Sequence, residues 1–202
     1  MQSKIITIGR QYGSGGREIG EKLAARLSIP CYDKAIVERT AKEKGYCEEV
    51  ILQFDESYSK SLLFSLAMNS YGSWYSNNDY KPLQVSVREA QVNIIRTLAK
   101  KGSCVIVGRA ADSILEDMDC TNIFIHADDA NRISRIMQCQ NCSEKKAAET
   151  MVSIDKERAQ FYHHYSEKRW GNAANYHLSV DTGKLGVNKT VELIAAYLDL
   201  RA

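Results

Sequence analysis

Short apolar runs alternate along the chain with longer amphipathic stretches. The β-branched run at 5–8 and the apolar segment at 103–107 are typical of buried strands. Between them, apolar residues recur at helical spacing, as at Ile19, Leu23 and Leu27. Shorter strand-like runs lie at 29–32, 122–126 and 176–181. The pattern therefore predicts five strands separated by helical segments.

Helical patterns fill the intervals between these strands. The predicted helices include an apolar stripe over 87–98, an acid-initiated helix at 128–137, one or two polar helices over 143–169, and a closing helix at 187–198. Strands that alternate with helices form a parallel sheet covered on both faces. The sequence thus predicts a three-layer α/β fold with a five-stranded parallel sheet.

A glycine-rich turn joins the first strand to the first helix. It contains Gly9, Gly13, Gly15 and Gly16. Glycines let backbone N–H groups converge on an anion at the positive end of a helix, which is the arrangement of a phosphate loop. The alternative is a tight strand-to-helix turn that binds nothing.

The turn departs from the standard phosphate-loop pattern, G-x-x-x-x-G-K-[ST]. If Gly15 is the last loop glycine, Gly16 stands where the lysine belongs and Arg17 comes one residue later. No serine or threonine follows to hold Mg²⁺, since the next residue is Glu18. A guanidinium also binds phosphate oxygens, so Arg17 is the predicted replacement for the lysine. The alternative for Arg17 is an exposed helix arginine. The predicted phosphate-binding set is Gly13, Ser14, Gly15, Gly16, Arg17 and Glu18.

Charged residues also follow two other strands. Asp33 comes directly after the second strand, and Arg109 and Asp112 follow the apolar strand at 103–107. Open α/β sheets bind ligands at the carboxyl ends of their strands. These side chains are therefore predicted to face a ligand, with helix capping or pairing to an arginine as the alternative.

Composition excludes several classes of function. The 202 residues are 44% hydrophobic and 26% charged, as in an ordinary globular domain, and the net charge of +2 gives no reason to expect nucleic-acid or membrane binding. No apolar run approaches the roughly 20 residues of a membrane helix, and the first residues do not resemble a signal peptide. A cytoplasmic location is expected.

The six cysteines include one close pair, Cys139 and Cys142. A single pair without a second pair at finger spacing is weak evidence for zinc, so no metal ligand is assigned. The chain also lacks the G-x-G-x-x-G fingerprint of a dinucleotide-binding domain, which disfavours an NAD enzyme.

Several stretches together resemble a known family. ITIGRQYGSGGREIGEKLAARLSIPCYDKAIVER, VREA, VIVGRAADSIL, FIHADDANRISRI and HLSVDTG occur in the order seen in cytidylate kinase and especially in the cytidylate kinase-like group of P-loop proteins. The resemblance covers nearly the whole chain. It implies one domain over 1–202, with an insert for a nucleoside monophosphate at 42–83 and a helical lid at 138–171.

The same resemblance implies roles for individual residues and a reaction. The acceptor nucleotide would be held by Asp33, Arg39, Arg109 and Asp112, and the lid arginines that clamp the transferred phosphoryl group would be Arg132, Arg158 and Arg169. The expected reaction is transfer of a phosphoryl group from ATP, with Mg²⁺, to CMP or dCMP. Two alternatives stay open: a kinase of another small molecule, and a nucleotide-binding sensor without turnover. The oligomeric state is not predicted.

Overall fold

The computed structural model describes residues 4–34, 38, 41, 42, 45 and 83–201, and the side chains of 83–87 are not described. Arg39 and nearly all of the expected insert at 42–83 lie outside the described residues. The predictions made for them are therefore not addressed by the structure.

The central sheet has five parallel strands in the order β2-β3-β1-β4-β5. The strands are β1 (Ile5–Arg10), β2 (Cys31–Tyr32), β3 (Cys104–Val107), β4 (Cys120–His126) and β5 (Leu178–Asp181). The described helices are α1 (Gly16–Leu27), α2 (Leu83–Lys100), α3 (Ala111–Ile114), α4 (Asp129–Gln140), α5 (Glu144–Ser166) and α6 (Thr182–Arg201), with a 3₁₀ turn at Ala173–Asn175. The predicted parallel α/β fold is confirmed.

Apolar side chains of the sheet alternate between two cores, because successive residues of a strand point to opposite faces. On one face Ile5 and Ile106 pack with residues of α2 and α3. On the other face Ile6, Ile8 and Ile123 pack with residues of α1 and α6. Helices thus cover both faces, which makes the three layers.

Some boundaries differ from the sequence prediction. The second strand spans only Cys31–Tyr32, and the polar region after residue 143 is one 23-residue helix, α5. The closing helix already begins at Thr182, but Gly186 breaks it with φ 67° and ψ 173°. Boundaries of this kind depend on capping and on packing as well as on hydrophobic spacing.

The order of the strands creates a crevice at the end of β1. This strand pairs with β3 on one side and with β4 on the other. In a doubly wound sheet the helices that follow such neighbouring strands lie on different faces and leave an opening between them. The glycine-rich turn after β1 lies at this opening. Within the part of the chain that the structure describes, no helix is both long and apolar enough to cross a membrane.

Candidate functional site

The turn between β1 and α1 is shaped by two glycines in the left-handed region. Gly13 has φ 78° and Gly15 has φ 81°. A Cβ on Gly13 would lie 2.8 Å from the carbonyl oxygen of Arg132 in α4. Glycine is needed at residue 13 for both reasons, conformation and space. The turn therefore lies directly against α4.

Helix α1 begins without a side-chain cap. Its N-cap residue is Gly15, and the N–H groups of residues 15–18 have no acceptor within the helix. Two other helices are capped, since Asp128 accepts a hydrogen bond from the Asn131 N–H and Ser143 accepts one from the Lys146 N–H. The open N-terminus of α1 combines N–H donors with the positive end of the helix dipole, which suits an anion.

A buried ion pair holds the turn from below. Arg132 is only 4% exposed, and its Nε donates to the carbonyl oxygen of Tyr12 at 2.8 Å. Its other nitrogens bind Asp129 and Asp155. Asp155 in turn accepts a hydrogen bond of 2.7 Å from the Tyr12 N–H. The N–H and the carbonyl oxygen of Tyr12 are thus both hydrogen-bonded, and Arg132 supports the loop from the interior of the protein.

Ser14 also serves the turn itself. Ser14 is 3% exposed, and its hydroxyl donates to the carbonyl oxygen of Gln11 at 2.8 Å. The Ser14 carbonyl accepts a hydrogen bond of 2.8 Å from the hydroxyl of Thr182 at the start of α6. The hydroxyl predicted to bind phosphate therefore has a partner within the loop.

A cleft of about 420 Å³ opens above the turn and the start of α1. Among the described residues it is lined by Gly13, Gly15, Gly16 and Val107, and by more cationic than acidic side chains. The cationic ones are Arg10, Arg17, Lys34, Arg135 and Arg158, and the acidic ones are Glu18, Glu21 and Asp33. The excess of positive charge favours an anionic ligand.

Two of the predicted residues meet on one wall of this cleft. The Nη2 of Arg17 lies 2.9 Å from Oδ2 of Asp33, and its Nε donates to Glu21 at 2.9 Å. The Arg17 side chain is 69% exposed, whereas that of Asp33 is 13% exposed. The hydrogen bond to Glu21, followed by the charge of Asp33, raises the pKa of Arg17.

Glu18 lies at the other side of the helix start. Its carboxylate binds Lys22 at 2.9 Å and Arg135 of α4. The hydrogen bond from Lys22 and then that from Arg135 hold the pKa of Glu18 below its ordinary value. Glu18, two residues after Gly16 at the lysine position, is thus an ionised carboxylate in contact with two cations.

A second, smaller cavity of about 20 Å³ lies beside the cleft, between the ends of β1 and β3. Arg109 and Asp112 line it, and so do Arg10 and Arg158, which also line the cleft. Arg109 is 2% exposed. A space of this size holds about one water molecule. Arg10 and Arg158 therefore connect the two groups of predicted residues.

The backbone beside this cavity is in an unusual conformation. Gly108, Arg109 and Ala110 are consecutive residues with φ of 80°, 64° and 50°. The left-handed region costs a non-glycine residue roughly 1 kcal/mol or more, and such conformations concentrate at functional sites. The turn directs the chain from β3 into the short helix α3.

Asp112 is held by a residue of the expected lid. The hydroxyl of Tyr162 in α5 donates to Oδ2 of Asp112 at 2.6 Å. Burial raises the pKa of Asp112, and the hydrogen bond from Tyr162 opposes this shift. Burial, followed by the nearby charge of Asp112, also raises the pKa of Tyr162 well above its ordinary value. Helix α5 thus connects the loop after β1 with the segment after β3.

The structure brings most of the predicted site residues to one edge of the sheet. Arg17, Asp33 and the glycines line the cleft, Arg109 and Asp112 line the neighbouring cavity, and Arg158 lines both. Arg132 and the Ser14 hydroxyl instead interact with the loop from within the protein.

Sequence reasoning missed two arginines of the cleft. Arg10 is the last residue of β1 and lines both spaces, while Arg135 lines the cleft and binds Glu18. The position of Arg10 at the carboxyl end of a strand was an available signal, as it was for Arg109. Arg135 had no such signal, because its contact depends on how α4 packs.

The residues present fit the phosphates of a nucleotide. The uncapped N–H groups at 15–18 and the cationic lining provide donors and charge for a polyphosphate. The described residues contain no cluster of three metal-ligating side chains. Mg²⁺ usually binds through one or two carboxylates together with substrate phosphates, and Asp33 and Glu18 are the candidates here.

The comparisons with known proteins agree with this geometry. The sequence profile of the cytidylate kinase-like family matches residues 5–184. None of the curated proteins compared with the chain matches it. Among solved structures, an uncharacterized protein from Eubacterium ventriosum is 29% identical, with 97% of this chain and 98% of that chain covered and a TM-score of 0.73.

Two further structures share the fold at low identity. A shikimate kinase from Bacteroides thetaiotaomicron is 15% identical, with coverage of 97% and 98% and a TM-score of 0.54. The YorR protein from Bacillus subtilis, in complex with phosphorylated GDP, is 13% identical, with coverage of 98% and 97% and a TM-score of 0.50. The fold is that of P-loop kinases, whose chemistry is phosphoryl transfer to small molecules. By its sequence profile, its strand order and its phosphate-type loop, the chain belongs to the cytidylate kinase-like family.

Proposed function

We propose that the protein transfers the γ-phosphoryl group of ATP to a nucleoside monophosphate of the CMP or dCMP type. The observation that carries the proposal is the uncapped N-terminus of α1, which opens into a cleft with five cationic side chains. The donor β-phosphate would lie against the N–H groups of Gly13 to Glu18, and Arg17 would assist as a phosphate-binding side chain.

The acceptor would bind toward the second strand and the end of β3. Arg39 and Arg109 would bind its phosphate, and Asp33 or Asp112 would orient its sugar or base. Support for this comes from the common border of the cleft and the smaller cavity, which share Arg10 and Arg158. An acceptor phosphate oxygen is already anionic, so the reaction needs positioning and charge neutralisation more than a base.

In the transfer, an acceptor phosphate oxygen attacks the γ-phosphorus while the bond to the bridging β–γ oxygen breaks, which yields ADP and a nucleoside diphosphate. Mg²⁺, when bound, would neutralise charge on the donor phosphates. Arg158 would face the transferred group from α5, and Arg132 would keep the loop in position for it. Closure by α5 would exclude water, which otherwise hydrolyses the donor.

The test is a panel of nucleosides, nucleotides and small hydroxyl compounds incubated with ATP and Mg²⁺ and assayed for ADP release. We expect release that depends on CMP or dCMP. ADP release that depends on a non-nucleotide acceptor would support the second candidate, a kinase of another small molecule. Such acceptors are included in the panel because a shikimate kinase has the same fold.

A sensor without turnover is the third candidate. It is favoured by the absence of the loop lysine and of the serine or threonine that would hold Mg²⁺, and by the ion pairs of Glu18 with Lys22 and Arg135. Saturable ATP binding without acceptor-dependent ADP release would select it and exclude the kinase.

A further inference from the structure

Gly16 occupies the position of the missing lysine, and a different side chain fills the space beside it. A Cβ placed on Gly16 would lie 2.5 Å from Cβ and 3.0 Å from Cγ of Arg10. Real Cβ atoms essentially never approach other heavy atoms within 3.0 Å. The first atoms of the Arg10 side chain therefore lie across Gly16, and only glycine fits beneath them.

The far end of the same side chain reaches the next strand of the sheet. A Cβ placed on Gly108 would lie 2.2 Å from Nη1 and 2.8 Å from Cζ of Arg10. Arg10 thus extends from the end of β1, past the first residue of α1, to the turn that follows β3. It lines both the cleft and the smaller cavity, so its guanidinium lies between the donor and acceptor sides.

The Arg10 backbone is held on both sides. Arg10 is opposite Ile125 in the parallel pairing of β1 with β4. Its carbonyl oxygen accepts a hydrogen bond of 3.1 Å from Nη1 of Arg158. The cation is therefore anchored on a central strand, whereas the lysine of the standard pattern stands on the first turn of the helix.

Arg17 is directed elsewhere. Its guanidinium contacts Asp33 and Glu21, and its side chain is 69% exposed. These contacts hold it toward β2, at the outer wall of the cleft. Of the two arginines, Arg10 is the one whose side chain passes over Gly16.

We propose that Arg10 binds the β- and γ-phosphates of the donor in place of the missing lysine. Glycine is required at residue 16 because the Arg10 side chain passes over it. The proposal rests on the proposed function, because it assumes a polyphosphate in the cleft. A guanidinium keeps its charge throughout the physiological pH range and binds two phosphate oxygens at once, so it is a competent substitute for an ammonium group.

The test measures binding of ATP and of inorganic tripolyphosphate, each with Mg²⁺, by calorimetry. Arg10→Met keeps an unbranched stem over Gly16 and removes the charge, and we expect it to weaken binding of both ligands by about tenfold or more. The matched control is Arg26→Ala, at the far end of α1, which should bind like the wild type. Arg17→Ala is measured beside them and should lose less affinity than Arg10→Met.

A position swap adds a sharper comparison. Gly16→Lys alone places a side chain against Arg10 and should also weaken binding. The double variant Arg10→Gly with Gly16→Lys moves the cation to the helix and removes the Arg10 Cβ that would lie 2.5 Å from a Cβ at residue 16. It should therefore bind tripolyphosphate more tightly than either Arg10→Gly or Gly16→Lys. Circular dichroism and thermal melting establish that each variant is folded.

The outcomes separate the inference from the function. If Arg10→Met binds as tightly as Arg26→Ala, or if Arg17→Ala loses more affinity than Arg10→Met, the role of Arg10 is refuted while nucleotide binding stands. If the wild type binds neither ATP nor tripolyphosphate, the proposed function fails, and the role of Arg10 fails with it. Should Arg10→Met not fold, the comparison of the double variant with Gly16→Lys decides, and equal binding by these two refutes the proposal.

Discussion

The two arginines next to the loop have different physical roles, although the sequence analysis assigned both of them to the lid. Arg132 binds Tyr12, Asp129 and Asp155 beneath the loop. Arg158 instead donates to the Arg10 carbonyl and lies with its guanidinium 5.5 Å from the centre of the Tyr12 ring. One arginine supports the loop, and the other faces the cleft.

Removal of Arg132 should therefore destabilise the protein strongly. Arg132→Ala leaves the carboxylate of Asp155 in a site where its side chain is only 16% exposed, and it leaves the Tyr12 carbonyl without its donor. We expect a loss of about 3 kcal/mol in the free energy of unfolding, measured by urea titration.

The matched control for that substitution is Arg96→Ala. Arg96 forms a two-pronged pair with Asp117 at 2.8 and 2.9 Å, but the side chain of Asp117 is 62% exposed. Solvent screens an exposed pair of this kind, so its loss should change the free energy of unfolding far less. A similar loss in both variants would mean that the Arg132 pair does not have the role assigned to it.

Asp112→Asn provides a test of the buried carboxyl group. Burial raises the pKa of Asp112, so the folded protein binds this proton more tightly than the unfolded chain does. Its contribution to stability is thus fully present below the ordinary pKa of 3.8 and is lost as the pH rises through the raised value. Asparagine does not titrate, and its amide oxygen still accepts from the Tyr162 hydroxyl.

The stability of Asp112→Asn relative to the wild type should therefore increase from acidic to neutral pH. Urea titrations at a series of pH values measure this difference. A difference that is constant across the series would contradict the assigned shift. If Asp112 also binds the acceptor, the same variant should show a raised acceptor KM at pH 7.

At the scale of elements, helix α1 packs closely against the sheet and also provides the N–H groups of the proposed phosphate site. Its Gly20 lies so close to the sheet that a Cβ there would be 2.8 Å from Cγ2 of Val107 and 3.3 Å from Cδ1 of Ile8. The helix ends at Leu27, and Ser28 caps it in the left-handed region at φ 55°. The position of the N–H groups at 15–18 thus depends on close packing further along the same helix.

Two substitutions in this helix should have opposite effects on stability. Gly20→Ala should cost about 1–3 kcal/mol through overpacking, although alanine is the better helix former. Ser28→Gly should stabilise by about 0.5–1 kcal/mol, because glycine accepts the left-handed conformation. Thermal and urea unfolding measure both. Stabilisation by Gly20→Ala would show that α1 lies further from β3 than the structure has it.

At the scale of the whole molecule, α5 contacts three separate parts of the site. Asp155 binds the loop after β1, Arg158 binds the end of β1, and Tyr162 binds α3. A ligand in the cleft would lie among all of these elements. Its binding should therefore stabilise the fold as a unit and not one element alone.

We expect ATP with Mg²⁺ at a hundred times its dissociation constant to stabilise the protein by about 2.7 kcal/mol. Thermal shift assays measure this as a rise in Tm. The shift should decrease with added salt, because the cleft carries five cationic and three acidic side chains. Adenosine, which has no phosphates, is the control. An equal shift with adenosine would indicate that binding does not depend on the phosphate loop.

Much of the architecture was predictable because its signals are local. Three examples are the apolar strand Cys104–Val107, the helical stripe of Ile19 and Leu23, and the glycines at 13 and 15. Each of these patterns involves residues that are adjacent in sequence or one helical turn apart. The kink at Gly186 and the exact start of the second strand at Cys31 were not predicted, since they depend on caps and on contacts with distant elements.

The sequence by itself determined the succession of strands and helices, the family and the location of the glycine-rich loop after β1, because hydrophobic periodicity and turn chemistry depend on adjacent residues. Only the tertiary structure decided which cations face the cleft. Arg158 reaches Arg10 across 148 residues, and Arg132 reaches Tyr12 across 120. Even Arg10 and Gly16, six residues apart, come together only because the chain reverses between strand and helix. Side-chain direction follows from such packing, which no local pattern encodes.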